Sequence, residues 1–137
     1  MSTPIETSGS DFSATPSVLG DEITVALTGT GDMGAVAPLE RCLTEVHELI
    51  LSRELRAAKI DVSALYLLNS SCLKAFISLI HKNIASERRY AVRFVVDGRL
   101  AWQERTLGAL RRLAPDLVSV TPRDPWRDSA PVAPRGG

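Results

Sequence analysis

Three groups of residues carry side chains or spacings that chemistry could use. The first is Gly29-Thr30-Gly31-Asp32-Met33-Gly34, which spells G-x-G-x-x-G between an alternating apolar stretch and a helical one. In dinucleotide-binding proteins this spacing lets the backbone approach a pyrophosphate at a helix N-terminus. Asp61 even occupies the place of a ribose ligand, although it lies about thirty residues on rather than the usual ~20. The plainer reading is that these glycines let the chain turn with positive φ between strand and helix. The second group is Cys42, His47, Cys72 and His81. Cys42 and His47 are five apart, and Cys72 and His81 are nine apart. Neither spacing suits a metal, and no C-x-x-C or nucleophile elbow exists. No metal, cofactor or catalytic residue is expected, and the chain reads as non-enzymatic.

The third group is Asn69-Ser70-Ser71-Cys72-Leu73-Lys74, ahead of an apolar helical pattern. Asn and Ser are favoured N-cap residues because a side-chain oxygen accepts a free backbone N–H of the first turn. The same place also suits a phosphoryl group. Free N–H groups and the positive dipole end favour a dianion there. A phosphoserine would add about −1.5 to −2 charges. It would change the charge of a surface without unfolding the helix behind it.

The elements that must position these residues follow from periodicity. Glu22 to Thr28 alternates polar and apolar as a half-buried strand does. Pro16 to Leu19 fits a short hairpin partner across Gly20-Asp21. Val36, Leu39, Leu43, Val46 and Ile50 predict an amphipathic helix with Arg41, Glu45 and Glu48 on its wet side. Lys59 to Ser63 reads as a strand whose buried path continues through Leu65–Leu68. Leu73, Phe76, Ile77, Ile80 and Ile84 predict a second helix, and Tyr90 to Val96 a further strand. A third helix spans about Arg99 to Leu113, with Trp102, Leu107, Leu110 and Leu113 apolar, before a final strand at Leu117 to Val120. Strands alternating with helices imply an α/β domain with a mostly parallel sheet.

Composition bounds the rest. A length of 137 residues suits one domain and excludes a complete two-half dinucleotide-binding fold. Sixteen basic and sixteen acidic residues cancel, which argues against nucleic acid and against anionic membrane surfaces as main partners. Eight of the basic residues fall between Lys82 and Arg112 against three acids, either a solvated face or a docking surface for an acidic protein. Two cysteines are too few for a disulfide scaffold, and no signal peptide or membrane-length apolar stretch is visible. A cytoplasmic location is expected. Residues 1–16 are rich in Ser, Thr, Pro and Gly, and residues 121–137 are rich in proline, so both read as disordered tails around a domain over 17–120. Trp126 in the second tail is either a short docking motif or a residue that folds back on the domain.

Asp61-Val62-Ser63-Ala64-Leu65-Tyr66-Leu67-Leu68-Asn69-Ser70-Ser71-Cys72-Leu73 resembles the STAS signature D-L-S-x-[VL]-x-[FY]-[ML]-D-S-[ST]-G-L. Leu27-Thr28-Gly29-Thr30-Gly31-Asp32 resembles the family's L-x-G-x-[LF]-D at the turn into its first helix. The STAS domain takes its name from sulfate transporters and anti-sigma factor antagonists. The resemblance implies a small mixed, mostly parallel sheet with helices packed largely on one side. It implies a partner-switching regulator whose first motif serine is phosphorylated by a histidine-kinase-like anti-sigma factor and restored by a PP2C-type phosphatase. On this sequence the modified residue would be Ser70, with Ser71 as second candidate. The partner-binding rim would comprise Asp32, Asn69, Ser71, Cys72 and Lys74, with Asp61 and Ser63 structural. Two positions depart from the pattern. Asn69 replaces the acid before the serine, and Cys72 replaces the glycine after the pair. These departures fit an alternative within the same family, a constitutive subunit of an ABC-type lipid transporter or signalling assembly.

Overall fold

The computed structural model describes residues 7–9 and 11–123. Six strands and three α-helices follow one another as β1 (Thr7–Gly9), β2 (Phe12–Leu19), β3 (Glu22–Gly31), α1 (Val36–Arg53), β4 (Ala57–Leu68), α2 (Ser70–Ala85), β5 (Ala91–Val96), α3 (Ala101–Arg111) and β6 (Val118–Pro122). A single 3-10 turn, Met33–Ala35, leads into α1. The strands form one sheet in the order β1-β2-β3-β4-β5-β6. The two pairings among β1, β2 and β3 are antiparallel, and the three from β3 to β6 are parallel.

The period of two decides which face is covered. Ile23 and Val25 of β3 line up with Ala58 and Ile60 of β4, and these with Val92 and Phe94 of β5; Leu27, Val62 and Val96 extend the same rows beyond the paired register. All are buried, in one core with Leu39, Val46 and Ile50 of α1, Phe76 and Ile80 of α2, and Leu107 and Leu110 of α3. Three parallel crossovers that step in one direction across a sheet, each right-handed, place their helices on the same face. The opposite face carries Glu22, Thr24, Lys59, Asp61 and Arg93, none of them buried. The expected α/β fold, with a mostly parallel sheet and helices on one side, is therefore the one observed.

Two boundaries differ from expectation. The segment read as an N-terminal tail over 1–16 contains β1 and the first half of β2. Phe12 and Ala14 alternate with Ser13 and Thr15 and enter the core, so a two-position apolar alternation sits inside a polar composition. Among the described residues β1 pairs as far as Ala14, and Pro16 has a partner only on the β3 side, where it faces Val25. At the other end β6 runs to Pro122, two residues into the expected tail. Residues 1–6, 10 and 124–137 lie outside the described residues, and Trp126 with them.

One polar cluster ties the far end of the helices to the sheet. The Asn83 amide donates to the Tyr90 carbonyl at 2.8 Å and accepts the Tyr90 N–H at 3.1 Å, while His47 Nδ1 and the Tyr90 hydroxyl pair at 2.7 Å. Burial, with Lys82 adding to it, pulls the His47 pKa below its ordinary value against the opposing pull of Glu48. The unfolded chain therefore takes up that proton more readily than the folded one. Stability from this group is complete above the ordinary histidine pKa of about 6.5 and is lost as pH falls through the depressed value. Thermal unfolding followed by circular dichroism should show a midpoint that is level near neutrality and falls below about pH 6.5. His47→Gln should flatten that fall. An equal fall in both proteins would assign the acid sensitivity to other groups. Asp97, held down to about 2 by its hydrogen bonds to Arg99, contributes in a separate and far more acidic window.

Candidate functional site

All the parallel strands end at one edge of the sheet, and the motif residues gather there. Gly29 has φ 95° and lies inside β3 rather than in a turn after it. A Cβ on Gly29 would stand 1.7 Å from the Asp11 carbonyl oxygen, and one on Gly31 would stand 2.8 Å from the Leu67 carbonyl oxygen. Both glycines therefore let neighbouring strands of the chain approach closely. Thr30 N–H donates to Asp11 O at 2.9 Å, and Asn69 N–H donates to Gly31 O at 2.8 Å. The second bond fastens the end of β3 to the start of α2.

β4 reaches this edge through two register shifts against β3, between Ala26 and Thr28 and between Gly29 and Thr30. The first shift is braced by Asp61, whose Oδ1 accepts the Ser63 N–H at 2.9 Å and the Ser63 hydroxyl at 2.6 Å. Asp61 and Ser63 hold each other, as the motif reading of them as structural requires. The shifts also correct the expected buried path through Leu65–Leu68. Leu65 is buried and Leu68 half-buried, but Tyr66 is 78% and Leu67 49% exposed. With Met33 at 69%, they put three large apolar side chains in water at one end of the molecule. The signal was present in the sequence. A five-residue apolar run in a sheet covered on one face must expose some of its members.

Asn69 is the N-cap of α2. Its backbone is extended, and its Oδ1 accepts the Cys72 N–H at 2.8 Å. Ser70 is the first helical residue and is exposed, and among the described residues its hydroxyl makes no hydrogen bond. Ser71 is half-buried. The neutral carboxamide of Asn69 thus satisfies the helix end and leaves Ser70 available. Lys74 lies one turn on, exposed and without an ion pair among the described residues.

Cys72 differs from the expectation of a rim residue. It is fully buried, with Sγ 3.5 Å from the Asp32 carbonyl oxygen. A helix N-terminus ordinarily lowers a thiol pKa. Here burial raises it, and the nearby charges of Asp32 and Glu40 push the same way. The thiol plugs the joint between the 3-10 turn and α2. Asp32 is half-buried at that joint, where its carbonyl accepts the Ala35 N–H at 3.0 Å. The exposed residues at this end are therefore Ser70 and Lys74 with Met33, Tyr66 and Leu67, while Asp32, Asn69 and Ser71 are half-buried.

The other sequence candidates are dispersed. Cys42 is buried in α1, with its thiol pushed up to about 11 mainly by burial. Much of the basic zone after Lys82 is spent locally: Arg88 donates to Glu54 O, Arg89 to Ile84 O, Arg93 pairs with Glu22 and Arg99 with Asp97. Among the described residues no helix is long and apolar enough to cross a membrane.

No family model and no curated protein matches the sequence. Solved structures do match. An anti-sigma factor antagonist from Mycobacterium paratuberculosis superposes with a TM-score of 0.58 at 19% identity, covering 79% of this chain and 85% of that one. An uncharacterized protein with a SpoIIAA-like fold from Shewanella loihica superposes with a TM-score of 0.50 at 17% identity, covering 94% and 95%. The sheet order, the one-sided helices and these superpositions together show that the chain has the SpoIIAA-like fold.

Proposed function

We propose that the protein is a non-enzymatic partner-switching regulator of the anti-sigma factor antagonist type, acting in the cytoplasm. Its partner would be a histidine-kinase-like anti-sigma factor that phosphorylates Ser70, and a PP2C-type phosphatase would restore it. One observation carries this reading. Ser70 offers an exposed, unbonded hydroxyl at the N-terminus of α2, in the same surface as Met33, Tyr66 and Leu67. An apolar rim of that kind marks a protein contact. A phosphate at its border must lose water when the rim is covered, and that costs several kcal/mol unless it is paired.

An affinity pull-down with the full chain from its native cells, read by mass spectrometry, supplies the partner and reports any Ser70 phosphopeptide. Ser70→Asp should weaken binding of the recovered partner by about 2 kcal/mol, roughly 30-fold. It should leave the thermal midpoint unchanged or slightly higher, because an acid in the first turn of a helix is favourable. Equal binding by Ser70→Asp and wild type would remove the switch.

Asn69 favours a second reading within the same fold. The capping role is filled by a neutral amide, so no carboxylate stands directly before Ser70 for a kinase to recognise. A constitutive STAS subunit of an ABC-type lipid transporter or signalling assembly would bind through the same rim without a switch. Co-purification with transporter subunits, indifferent to Ser70→Asp, would establish it.

A further inference from the structure

Ser70, Lys74, Ser78 and Lys82 follow one another at steps of four along α2, and all four are exposed. Residues spaced by four form one of the ridges that helices use to pack. This ridge alternates a small side chain with an ammonium and runs about 18 Å, from the proposed switch to the last turn of the helix. α2 contains no acidic residue. Among the described residues neither Lys74 nor Lys82 is in an ion pair. Lys82 Nζ reaches across to α1 and donates to the Thr44 hydroxyl at 3.4 Å, a neutral partner. Beside the ridge lies a groove of about 210 Å³ between α1 and α2, with Ser78, Lys82 and Thr44 on its walls and Glu40 on the α1 side.

We infer that this ridge is the docking site for one amphipathic helix of the protein partner, bearing carboxylates about two turns apart that face Lys74 and Lys82. The inference rests on the switch reading above and names the partner's chemistry. Three features argue for that occupant. The ridge offers two positive charges, neither of them in an ion pair among the described residues. The serines between them are small enough for a second helix to come close. The ridge is also continuous with the apolar rim, since Ser70 belongs to both. Glu40 adds polarity across the groove, so a basic residue on the flank of the partner helix fixes which way that helix runs. The arrangement explains what a phosphate at Ser70 would do at a distance from the rim. It would place a dianion at the head of a row that otherwise attracts carboxylates.

The test uses the purified partner recovered by the pull-down as its probe, with the full-length chain and its surface variants Lys74→Glu, Lys82→Glu and Ser78→Trp. Each charge reversal should weaken binding roughly tenfold or more, and Ser78→Trp should do so by bulk alone. Wild-type binding should weaken with added salt, and Lys82→Glu should lose part of that dependence. Lys82→Arg should bind as wild type does, and circular dichroism should show every variant folded. Wild-type affinity in Lys82→Glu and Ser78→Trp, with Ser70→Asp impaired, overturns the ridge and leaves the switch standing. Impaired Lys82→Glu with unimpaired Ser70→Asp keeps the ridge and removes the switch. Recovery of no binding partner overturns both. Concentration-dependent dimerisation of the chain alone, abolished by Lys82→Glu, would mean that a second copy occupies the ridge, and this too overturns the partner helix.

Discussion

Gly29→Ala should unfold the site end of the sheet before any other part is touched. The expected loss is about 3–5 kcal/mol, against the total of ~5–15 kcal/mol that holds a domain of this size. Two costs add. At φ 95° an alanine is strained, which alone costs about 1–3 kcal/mol. The added Cβ would then meet Asp11 O at 1.7 Å, Asp11 C at 2.8 Å and Phe12 Cα at 3.2 Å. All three are backbone atoms, so no rotamer change relieves the clash. β2 must move away from β3, and Phe12 leaves the core with it. The thermal midpoint should fall by roughly 9–15 °C, taking about 3 °C per kcal/mol. Gly20→Ala is the comparison, because φ there is also positive but nothing lies within 4 Å of the added carbon. It should cost about 1 kcal/mol. Equal losses at the two glycines would show that backbone strain alone matters at Gly29, and that β2 does not press on it.

The second large effect is expected at Gln103. This side chain is fully buried in α3 and satisfies three backbone groups at once. Its amide donates to Val62 O and Leu65 O, each at 3.0 Å, and its Oε1 accepts the Asp97 N–H at 2.7 Å. The reason lies in the sheet. β5 pairs with β4 only as far as Asp61 opposite Val95, so β4 continues toward Tyr66 and Ser70 without that neighbour. Gln103 takes the place of the missing strand. Gln103→Leu keeps much of the volume but strands two carbonyls and one N–H in the core, each worth about 1–3 kcal/mol. Denaturant unfolding should show a total loss of about 3–4 kcal/mol. Partner binding should also weaken at temperatures where the variant is folded, because β4 carries Tyr66 and Leu67. A loss under about 1 kcal/mol would mean that water reaches those carbonyls.

Gln103 also shows what the sequence displayed and what it hid. Residues 103, 107 and 110 share one helical stripe, so a glutamine there already marks a buried polar position. Leu113 continued the apolar pattern by eye, yet it is exposed, because α3 ends at Arg111 and the stripe ends with it. Elements with five apolar residues at one period, such as Val36 to Ile50 and Leu73 to Ile84, were legible. So were the cap at Asn69 and the braced pair of Asp61 and Ser63. β1 and the start of β2 were not, since a three-residue strand has no period and Phe12–Ala14 is held by its partner β3. For Tyr66 and Leu67 the apolar run implied that some of its members are exposed, but not which ones. Which ones are exposed depends on the register shifts between β3 and β4, the first of them braced by Asp61 and Ser63.

The order of the strands bears on how the molecule forms and how it opens. Every strand pairs only with its neighbours in the chain. The β2–β3 hairpin closes through Gly20 and Asp21 and needs almost no loop entropy. Each later strand must wait for a crossover of some twenty residues to be ordered, and that entropic cost rises only slowly with loop length. Assembly can therefore run from the hairpin outward, one strand and helix at a time, with no strand inserted between two already placed. Opening can run the other way. The unit of β6 with α3 can detach while β3 and β4 stay paired. Because Gln103 travels with α3, the first such opening frees the end of β4. Such an opening would reach Tyr66 and Leu67 without global unfolding, so that breathing at a distant sheet edge and the shape of the candidate surface would share one equilibrium.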